Sequence, residues 1–264
     1  MRADHCASQP GAQLQAGGQI TAADALLIVL VIGAGLLLDR TVELPVQATG
    51  SVIVWAVMLR LLHRARGDLR VIIIACLAWS SFGEVFASLI WGLYKYRLYN
   101  IPMFVPPGHV LMLLLALFAA ERWRRLVLTA APVIAVSYAV FALSMHRDMF
   151  SVLLTPLFVA TVLMGRRREV YSATFLLAVV LELYGTWLGN WRWADTASWL
   201  DLSMANPPIC IGALYCLRDV LSGATLSWIR GWKQRRQEED IAATALHDIY
   251  LTKSDTVSIR ESAP

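Results

Sequence analysis

Charged residues are scarce in this 264-residue chain, where Lys, Arg, Asp and Glu make up 16% and hydrophobic residues make up 58%. A water-soluble protein of this size cannot bury so much apolar surface, so the composition excludes an ordinary soluble domain and predicts a membrane protein. The pI near 9.0 would also suit a nucleic-acid-binding protein. We do not expect that function, because the basic residues stand in short clusters between apolar runs, as in membrane-protein loops.

Several sequence signatures of known chemistry are missing. The four cysteines form no CxxC pair, and three of them lie in apolar segments, so we expect them to be buried and unpaired. The sequence has no phosphate-binding glycine loop, no GxSxG nucleophile turn and no histidine-rich oxygenase box. No HxxxH or ExxH spacing supports a metal site. We therefore predict neither a metal nor an organic cofactor.

Eight apolar segments can each form a transmembrane helix, since a bilayer core of about 30 Å needs roughly 20 helical residues. The segment 150–164 is short and contains Pro156. Before the first segment, Thr21 and Asp24 have the spacing of a capping box. The predicted fold class is all-α, a polytopic membrane protein with about eight transmembrane helices. The segments cover about residues 25–38, 45–62, 71–94, 104–120, 126–145, 150–164, 171–188 and 207–221.

Basic residues alternate between the loops that join these segments. Clusters follow the second, fourth, sixth and eighth segments, whereas the intervening loops hold only one or two basic residues each. The positive-inside rule then places both termini in the cytoplasm, in a multi-pass protein of the cytoplasmic membrane. We read 1–20 as a disordered N-terminal tail and 21–221 as the transmembrane domain. Residues 222–233 suit an interfacial helix, and 234–264 a polar cytoplasmic tail.

One pattern occurs twice in the chain. A glutamate is followed seven or eight residues later by Gly-x-aromatic-basic-aromatic, first from Glu84 to Gly92 and then from Glu182 to Gly189. Each copy leads on to an Asn and a Pro-Pro pair. Each half then holds four segments, which predicts two parallel repeats at about 25–121 and 126–221, related by an axis near the membrane normal. Aromatic belts at membrane interfaces would produce a similar pattern without duplication.

Glu84 and Glu182 stand well inside apolar runs at a similar depth. An ionised and unpaired carboxylate there costs several kcal/mol, so each should be protonated, paired or exposed to a wet cavity. His109 enters the fourth segment at a comparable depth, directly after Pro106-Pro107-Gly108. We name Glu84, Glu182 and His109 as candidate catalytic residues. The alternative that each glutamate only bonds a neighbouring helix stays open.

Aromatic and amide residues gather near the outer ends of the same segments. Aromatic faces stabilise cations, so some of these residues are candidates for the wall of a binding pocket. An aromatic belt at the membrane interface would have the same composition. The candidate substrate-binding residues are Trp91, Tyr94, Tyr96, Asn100, Trp187, Trp191, Trp193 and Asn206.

The intramembrane Glu84, the following Gly92, Tyr94 and Tyr96, and the proline-containing re-entry at 101–102 resemble the integral-membrane carotenoid hydratases. More loosely, the chain looks like the membrane-embedded lycopene and terpenoid cyclases. The double prolines and the tryptophans of the second motif have no counterpart in that pattern. The resemblance implies acid-initiated chemistry on a polyprenyl chain, in which a neutral glutamate protonates an alkene and aromatic faces stabilise the carbocation.

We therefore expect an integral membrane enzyme that performs acid–base chemistry (hydration, cyclisation or isomerisation) on a lipophilic, isoprenoid substrate. Glu84 and Glu182 would be the acid and the base in either order, with His109 assisting. A proton-coupled transporter would use the same carboxylates as proton relays. A non-catalytic membrane partner or sensor would signal through 234–264. The expected partners are the lipid bilayer and a lipophilic small molecule, without nucleic acid; the sequence assigns no oligomeric state.

Overall fold

The computed structural model describes residues 18–261. Most of the N-terminal tail predicted at 1–20, and the last three residues of the tail predicted at 234–264, lie outside the described residues. The chain divides after Ser222 into two units, and the division falls within the last helix. The helices are α1 (Ala22–Asp39), α2 (Leu44–Arg64), α3 (Asp68–Glu84), α4 (Val105–Arg122), α5 (Arg124–Ser144), α6 (Met149–Met164), α7 (Arg168–Leu188) and α8 (Gly212–Glu261).

The protein is a helical, multi-pass membrane protein, and a helix occupies each of the eight predicted apolar segments. Among the described residues, seven helices are long and apolar enough to cross a membrane; α6, with 16 residues, is a shorter apolar helix. The third span ends at Ile90, four residues before the predicted end at Tyr94. Between residues 18 and 261, four short strands interrupt the helical pattern: β1 (Tyr94–Tyr96), β2 (Trp191–Trp193), β3 (Thr196–Ala197) and β4 (Leu202–Ser203).

The first helix begins at the predicted capping box. The Thr21 hydroxyl accepts from the Asp24 backbone N–H, and the Asp24 carboxylate accepts from the Thr21 backbone N–H. These reciprocal bonds satisfy donors that the first helical turn leaves free. Asp24 also accepts hydrogen bonds from Arg60 and Arg64 at the end of α2. One carboxylate therefore starts α1 and joins it to α2.

Helix α3 passes directly into a π-helical turn at Val85–Ile90, and Gly92 then reverses the chain with φ of 73°. In the second half, Gly189 ends α7 with φ of 79°. Positive φ is readily adopted by glycine and strained for other residues, so both turns depend on glycine. Each turn leads into a three-residue strand. The two spans that carry Glu84 and Glu182 are thereby each followed by a strand of the same small sheet.

Strands β1 and β2 pair antiparallel, with Tyr94 opposite Trp193, Lys95 opposite Arg192 and Tyr96 opposite Trp191. Side chains alternate between the two faces of a strand, so the four aromatic residues share one face, where they are buried. Lys95 and Arg192 are exposed on the other face. The two copies of the sequence motif therefore meet in one two-stranded ribbon.

The helices α4 and α7 form the buried centre of the first unit. Helix α4 packs against α3, α1 and α2, whereas α7 packs against α4, α5 and α6. Pro106 and Pro107 lie in the first turn of α4, where the helix needs no backbone N–H from them. In the second half of this unit, the fully buried rings of Phe158 and Phe175 stack with centroids 4.2 Å apart.

The second unit, 223–261, is described mainly by its helical backbone, and its side chains are described only for part of its length. Trp228 and Trp232 are exposed, and the Arg236 guanidinium lies 4.8 Å from the centroid of the Trp232 ring. The described part of the segment predicted as a polar tail is thus helical.

Candidate active site

A cavity of about 1100 Å³ lies among α1, α2, α3 and α4 and reaches α7 and α8. Most of its lining side chains are apolar. Leu30, Val52, Ile53 and Phe82 line it and are each more than half exposed, so the cavity is open beside apolar helix surfaces of the kind that face lipid in a membrane protein. A lipophilic molecule could enter from that side without crossing water.

Glu84 lines this cavity from the end of α3 and is almost fully buried. Its Oε2 accepts hydrogen bonds from the hydroxyls of Tyr94 and Tyr96, each at 2.7 Å. Its Oε1 lies 2.8 Å from Nε2 of His109 on α4. Three side chains from β1 and α4 therefore form hydrogen bonds with both carboxyl oxygens. Such bonds offset the free-energy cost of removing a carboxylate from water.

The other ring nitrogen of His109, Nδ1, lies 2.7 Å from Nη1 of Arg218 on α8. A guanidinium group only donates hydrogen bonds, so Nδ1 must be the acceptor. The ring proton of neutral His109 is then on Nε2, from which it is donated to Glu84. Arg218 thus requires the Nε2–H tautomer of His109, and the His109 ring connects Arg218 to Glu84 through hydrogen bonds.

Arg218 is itself held by a buried ion pair. Its Nε and Nη2 donate to Oδ1 of Asp219 at 2.9 and 2.6 Å, and both residues are buried. Oδ2 of Asp219 accepts from the Thr174 hydroxyl at 2.6 Å. A hydrogen-bonded chain therefore runs from Thr174 on α7, through Asp219, Arg218 and His109, to Glu84 on α3.

Glu182 has a matching set of partners from the second half of the unit. Its Oε2 accepts from the indole N–H groups of Trp191 at 2.8 Å and Trp193 at 3.0 Å. Its Oε1 accepts from the Tyr215 hydroxyl at 2.7 Å. As with Glu84, two residues of the following strand and one from the next helix hold the carboxyl group. A Cβ added to Gly185 would lie 1.9 Å from the Trp191 ring, so this glycine is what lets the indole lie against α7.

The ribbon brings the two carboxyl clusters together. Tyr94 and Trp193 face each other with ring centroids 4.7 Å apart, and Tyr96 and Trp191 with centroids 6.1 Å apart. At the helical side, the His109 ring lies 4.9 Å from the Tyr215 ring. Glu84 and Glu182 therefore occupy one continuous group of interacting side chains on the cavity wall.

The phenols of Tyr94 and Tyr96 are in their protonated, donating form. Burial raises the pKa of both hydroxyls well above the usual 10.0, and the negative charge of Glu84 raises it further. Both groups thus remain donors to Glu84 at neutral pH.

The eight candidate residues that line the cavity are Glu84, Glu182, His109, Trp91, Tyr94, Tyr96, Trp191 and Trp193. Three other candidates do not line it. The Asn100 amide donates to the Gln47 side chain at 2.8 Å, and Asn206 accepts from the Trp193 backbone N–H at 3.0 Å. The Trp187 side chain is 75% exposed and stacks on Tyr184. The structure places these three around the site and not in its wall.

Sequence reasoning missed three residues of the site: Tyr215, Arg218 and Asp219. Arg218 lies near the end of the eighth predicted segment, where a basic residue is expected at the aqueous interface, whereas it is buried and bonded to His109. The available signal was the Arg-Asp pair inside an apolar run, one turn after a tyrosine. Residues three or four apart share a helix face, so Tyr215 could have been grouped with Arg218 and Asp219.

Within the described residues, no group of three or more His, Cys, Asp or Glu side chains is arranged to hold a metal ion. The carboxyl groups of the site are instead bonded to aromatic and histidine donors. No known family model, curated protein or solved structure matches this chain.

Proposed function

We propose that the protein is an integral membrane enzyme that performs acid–base chemistry on a lipophilic, isoprenoid-type substrate. The observation that carries this proposal is the cavity: its wall is mainly apolar, exposed apolar side chains are part of that wall, and two carboxyl clusters lie on it. An apolar cavity of this kind suits a hydrocarbon chain better than a hydrated solute. For that reason we favour an enzyme acting on lipid over a proton-coupled carrier of a polar solute.

The hydrogen-bond partners of Glu84 and Glu182 suggest which carboxyl group is the acid and which is the base. All hydrogen-bond partners of Glu182 are neutral side chains, and we assign it as the acid. Glu84 is bonded to His109, which in turn contacts the cationic Arg218, and we assign Glu84 with His109 as the base. The aromatic rings of the ribbon lie beside both groups and would stabilise positive charge on the substrate.

The proposed reaction begins with transfer of a proton from Glu182 to one carbon of an alkene, which leaves a carbocation at the neighbouring carbon. In hydration, a water oxygen bonds to that carbon and the base removes one water proton. In cyclisation or isomerisation, the base removes a proton from a carbon of the substrate. In each route Glu182 gives up one proton and the base takes up one, so the number of protons on the protein is unchanged. Neither route needs an oxidant or a reductant.

The proposal includes a topology of eight spans in the cytoplasmic membrane, with both termini in the cytoplasm. Support comes from the alternation of basic loops and from a helix at each of the eight apolar segments. We further propose that 25–121 and 126–221 are parallel repeats. The matched bonding of Glu84 and Glu182 and the pairing of β1 with β2 support that relationship. The resemblance to carotenoid hydratases and cyclases is part of the same proposal.

The test compares lipid extracts from cells with and without the gene, complemented by wild type, Glu84→Gln or Glu182→Gln. We expect an isoprenoid species that changes by the mass of water for hydration, or in retention at constant mass for cyclisation or isomerisation. Both variants should abolish the change while still accumulating in the membrane. Glu43→Gln is the matched control, since Glu43 is exposed and does not line the cavity.

An unchanged lipid profile in the presence of wild-type protein would contradict the proposal. Uptake of a solute into proteoliposomes that depends on a pH gradient, without chemical change of that solute, would assign the carboxyl groups to transport instead.

A further inference from the structure

The outward face of the β1–β2 ribbon has a feature that the proposed reaction does not use. Lys95 and Arg192 stand directly opposite each other in the strand register, and both are exposed. Like charges at facing positions of an antiparallel pair repel each other. The side chains of Lys95 and Arg192 form no hydrogen bond or ion pair with any other described side chain. The sheet therefore holds two facing cations without a counter-charge between them.

A depression of about 470 Å³ lies over this face of the ribbon. The charged residues that line it are Lys95, Arg97, Arg192 and Asp195, so three positive charges face one negative charge and the formal net charge is +2. The two glycines that precede the strands, Gly92 and Gly189, also line the depression, and a Cβ added to either would meet no atom within 4 Å. The depression is thus open, bare of bulky side chains at both turns, and positively charged.

The position of the ribbon in the fold indicates which anion would reach it. The ribbon follows the ends of two membrane spans, Asp68–Ile90 and Arg168–Leu188. Tyr99, which also lines the depression, is 85% exposed, and Trp187 at the end of α7 is exposed as well. Exposed tyrosine and tryptophan side chains at span ends are typical of the level of the lipid headgroups. Phosphate is the anionic group that phospholipid headgroups share at that level.

We propose that this outward face is a phosphate-binding site that holds the phosphate of an anionic lipid headgroup between Lys95 and Arg192. Arg192 offers paired N–H donors that match phosphate oxygens, and Lys95 supplies a compact charge from the facing strand. A bound phosphate would relieve the repulsion between the two cations. It would also fix the outer face of the ribbon whose inner face holds Glu84 and Glu182, although the site does not depend on the reaction proposed above.

The test measures the thermal unfolding midpoint of the purified full-length protein in a non-ionic detergent, because a ligand that binds the native state raises this midpoint. Short-chain phosphatidylglycerol, phosphatidylcholine with the same acyl chains, and inorganic phosphate are titrated separately. We expect wild type to bind phosphatidylglycerol roughly tenfold or more tightly than phosphatidylcholine, and Lys95→Gln/Arg192→Gln to lose that preference. Protection of wild type by inorganic phosphate, lost in the same variant, would support the site and assign it to a soluble phosphate compound.

The control is Arg40→Gln/Arg147→Gln, which removes two exposed cations from other loops and changes the net charge equally. It should keep the preference for phosphatidylglycerol. Equal loss of the preference in both double variants would reduce the effect to general surface charge and overturn the proposal. So would retention of the preference in Lys95→Gln/Arg192→Gln. Lys95→Glu, which places opposite charges across the ribbon, should fold without added anion and show no preference.

Discussion

Arg218 donates a hydrogen bond from Nη1 to Nδ1 of His109 at 2.7 Å, while its other two nitrogens bind Asp219. Removal of the guanidinium would leave Asp219 as a buried charge with only the Thr174 hydroxyl as partner. We therefore expect Arg218→Met to destabilise the protein by about 3–5 kcal/mol, the usual cost of breaking a buried ion pair. Unfolding in mixed detergent micelles measures this cost.

The double variant Arg218→Met/Asp219→Leu removes both charges and should recover most of the lost stability, because apolar residues replace the whole pair. It would still lack the contact with Nδ1 of His109. The ¹⁵N shift of Nδ1 should therefore differ between wild type and the double variant, because Nδ1 loses the hydrogen bond from Arg218, while Nε2 keeps the proton that it donates to Glu84. An Nδ1 shift that is the same in both proteins would show that Arg218 does not position His109.

The sequence could identify Glu84 and Glu182 as candidate site residues, and it could predict the positions of the helices, because both depend on local patterns. A long apolar run suffices to place a membrane helix, and a carboxylate inside such a run is conspicuous. The pairing of Lys95 with Arg192 could not be predicted, since a three-residue strand has no hydrophobic period that would identify a partner almost 100 residues away.

Arg218 was missed for a different physical reason. Basic residues near the end of an apolar run usually reach the aqueous interface, so the general rule assigns them to loops. Here Asp219, the next residue in the chain, binds the guanidinium and neutralises it within the protein. Neighbouring residues in a helix seldom face each other, so the adjacency of Arg218 and Asp219 in the sequence does not by itself predict that they bind each other.

The raised pKa values of Tyr94 and Tyr96 predict a stability that depends on alkaline pH. Since burial and the Glu84 charge hold both folded-state pKa values above the usual 10.0, their contribution is fully present below pH 10 and is lost as the pH rises further. As the pH rises above about 10, wild type should lose more stability than Tyr94→Phe/Tyr96→Phe. Tyr99→Phe is the control, because Tyr99 is exposed, and it should keep the wild-type loss.

Gly185 predicts a steric effect on the second carboxyl cluster. An alanine Cβ at this position would overlap the Trp191 ring, so the indole must move and its bond to Glu182 must lengthen or break. We expect Gly185→Ala to cost about 1–3 kcal/mol. Gly83→Ala is the control, since its Cβ would meet no atom within 4 Å, and it should gain up to about 1 kcal/mol from better helix propensity.

The smaller ring in Trp191→Phe should relieve the overlap. Gly185→Ala should therefore cost less in the Trp191→Phe background than in wild type, and a double-mutant cycle measures the difference. If Gly185→Ala lowers the free energy of unfolding equally in the two backgrounds, its effect does not come from overlap with the Trp191 ring but from elsewhere in α7.

Gly108 offers a way to fill the cavity without touching a carboxyl group. It lines the cavity beside His109, and an added Cβ would meet no atom within 4 Å, so a leucine side chain can extend into the space. We expect Gly108→Leu to fold with at least wild-type stability, because Leu is a better helix former than Gly. The lipid conversion that depends on this protein should nevertheless fall by about tenfold or more, because the leucine side chain would occupy the volume in which the substrate binds.

The matched control is Gly33→Leu on α1. Gly33 also has open space around an added Cβ, but it does not line the cavity. It should fold with at least wild-type stability for the same reason and leave lipid conversion close to wild type. If the two leucine variants convert lipid equally well, the cavity is not the place where substrate binds. If only Gly108→Leu is impaired and its thermal unfolding midpoint is not lowered, the loss comes from occupied volume, because neither substituted residue is a hydrogen-bond partner of Glu84 or Glu182.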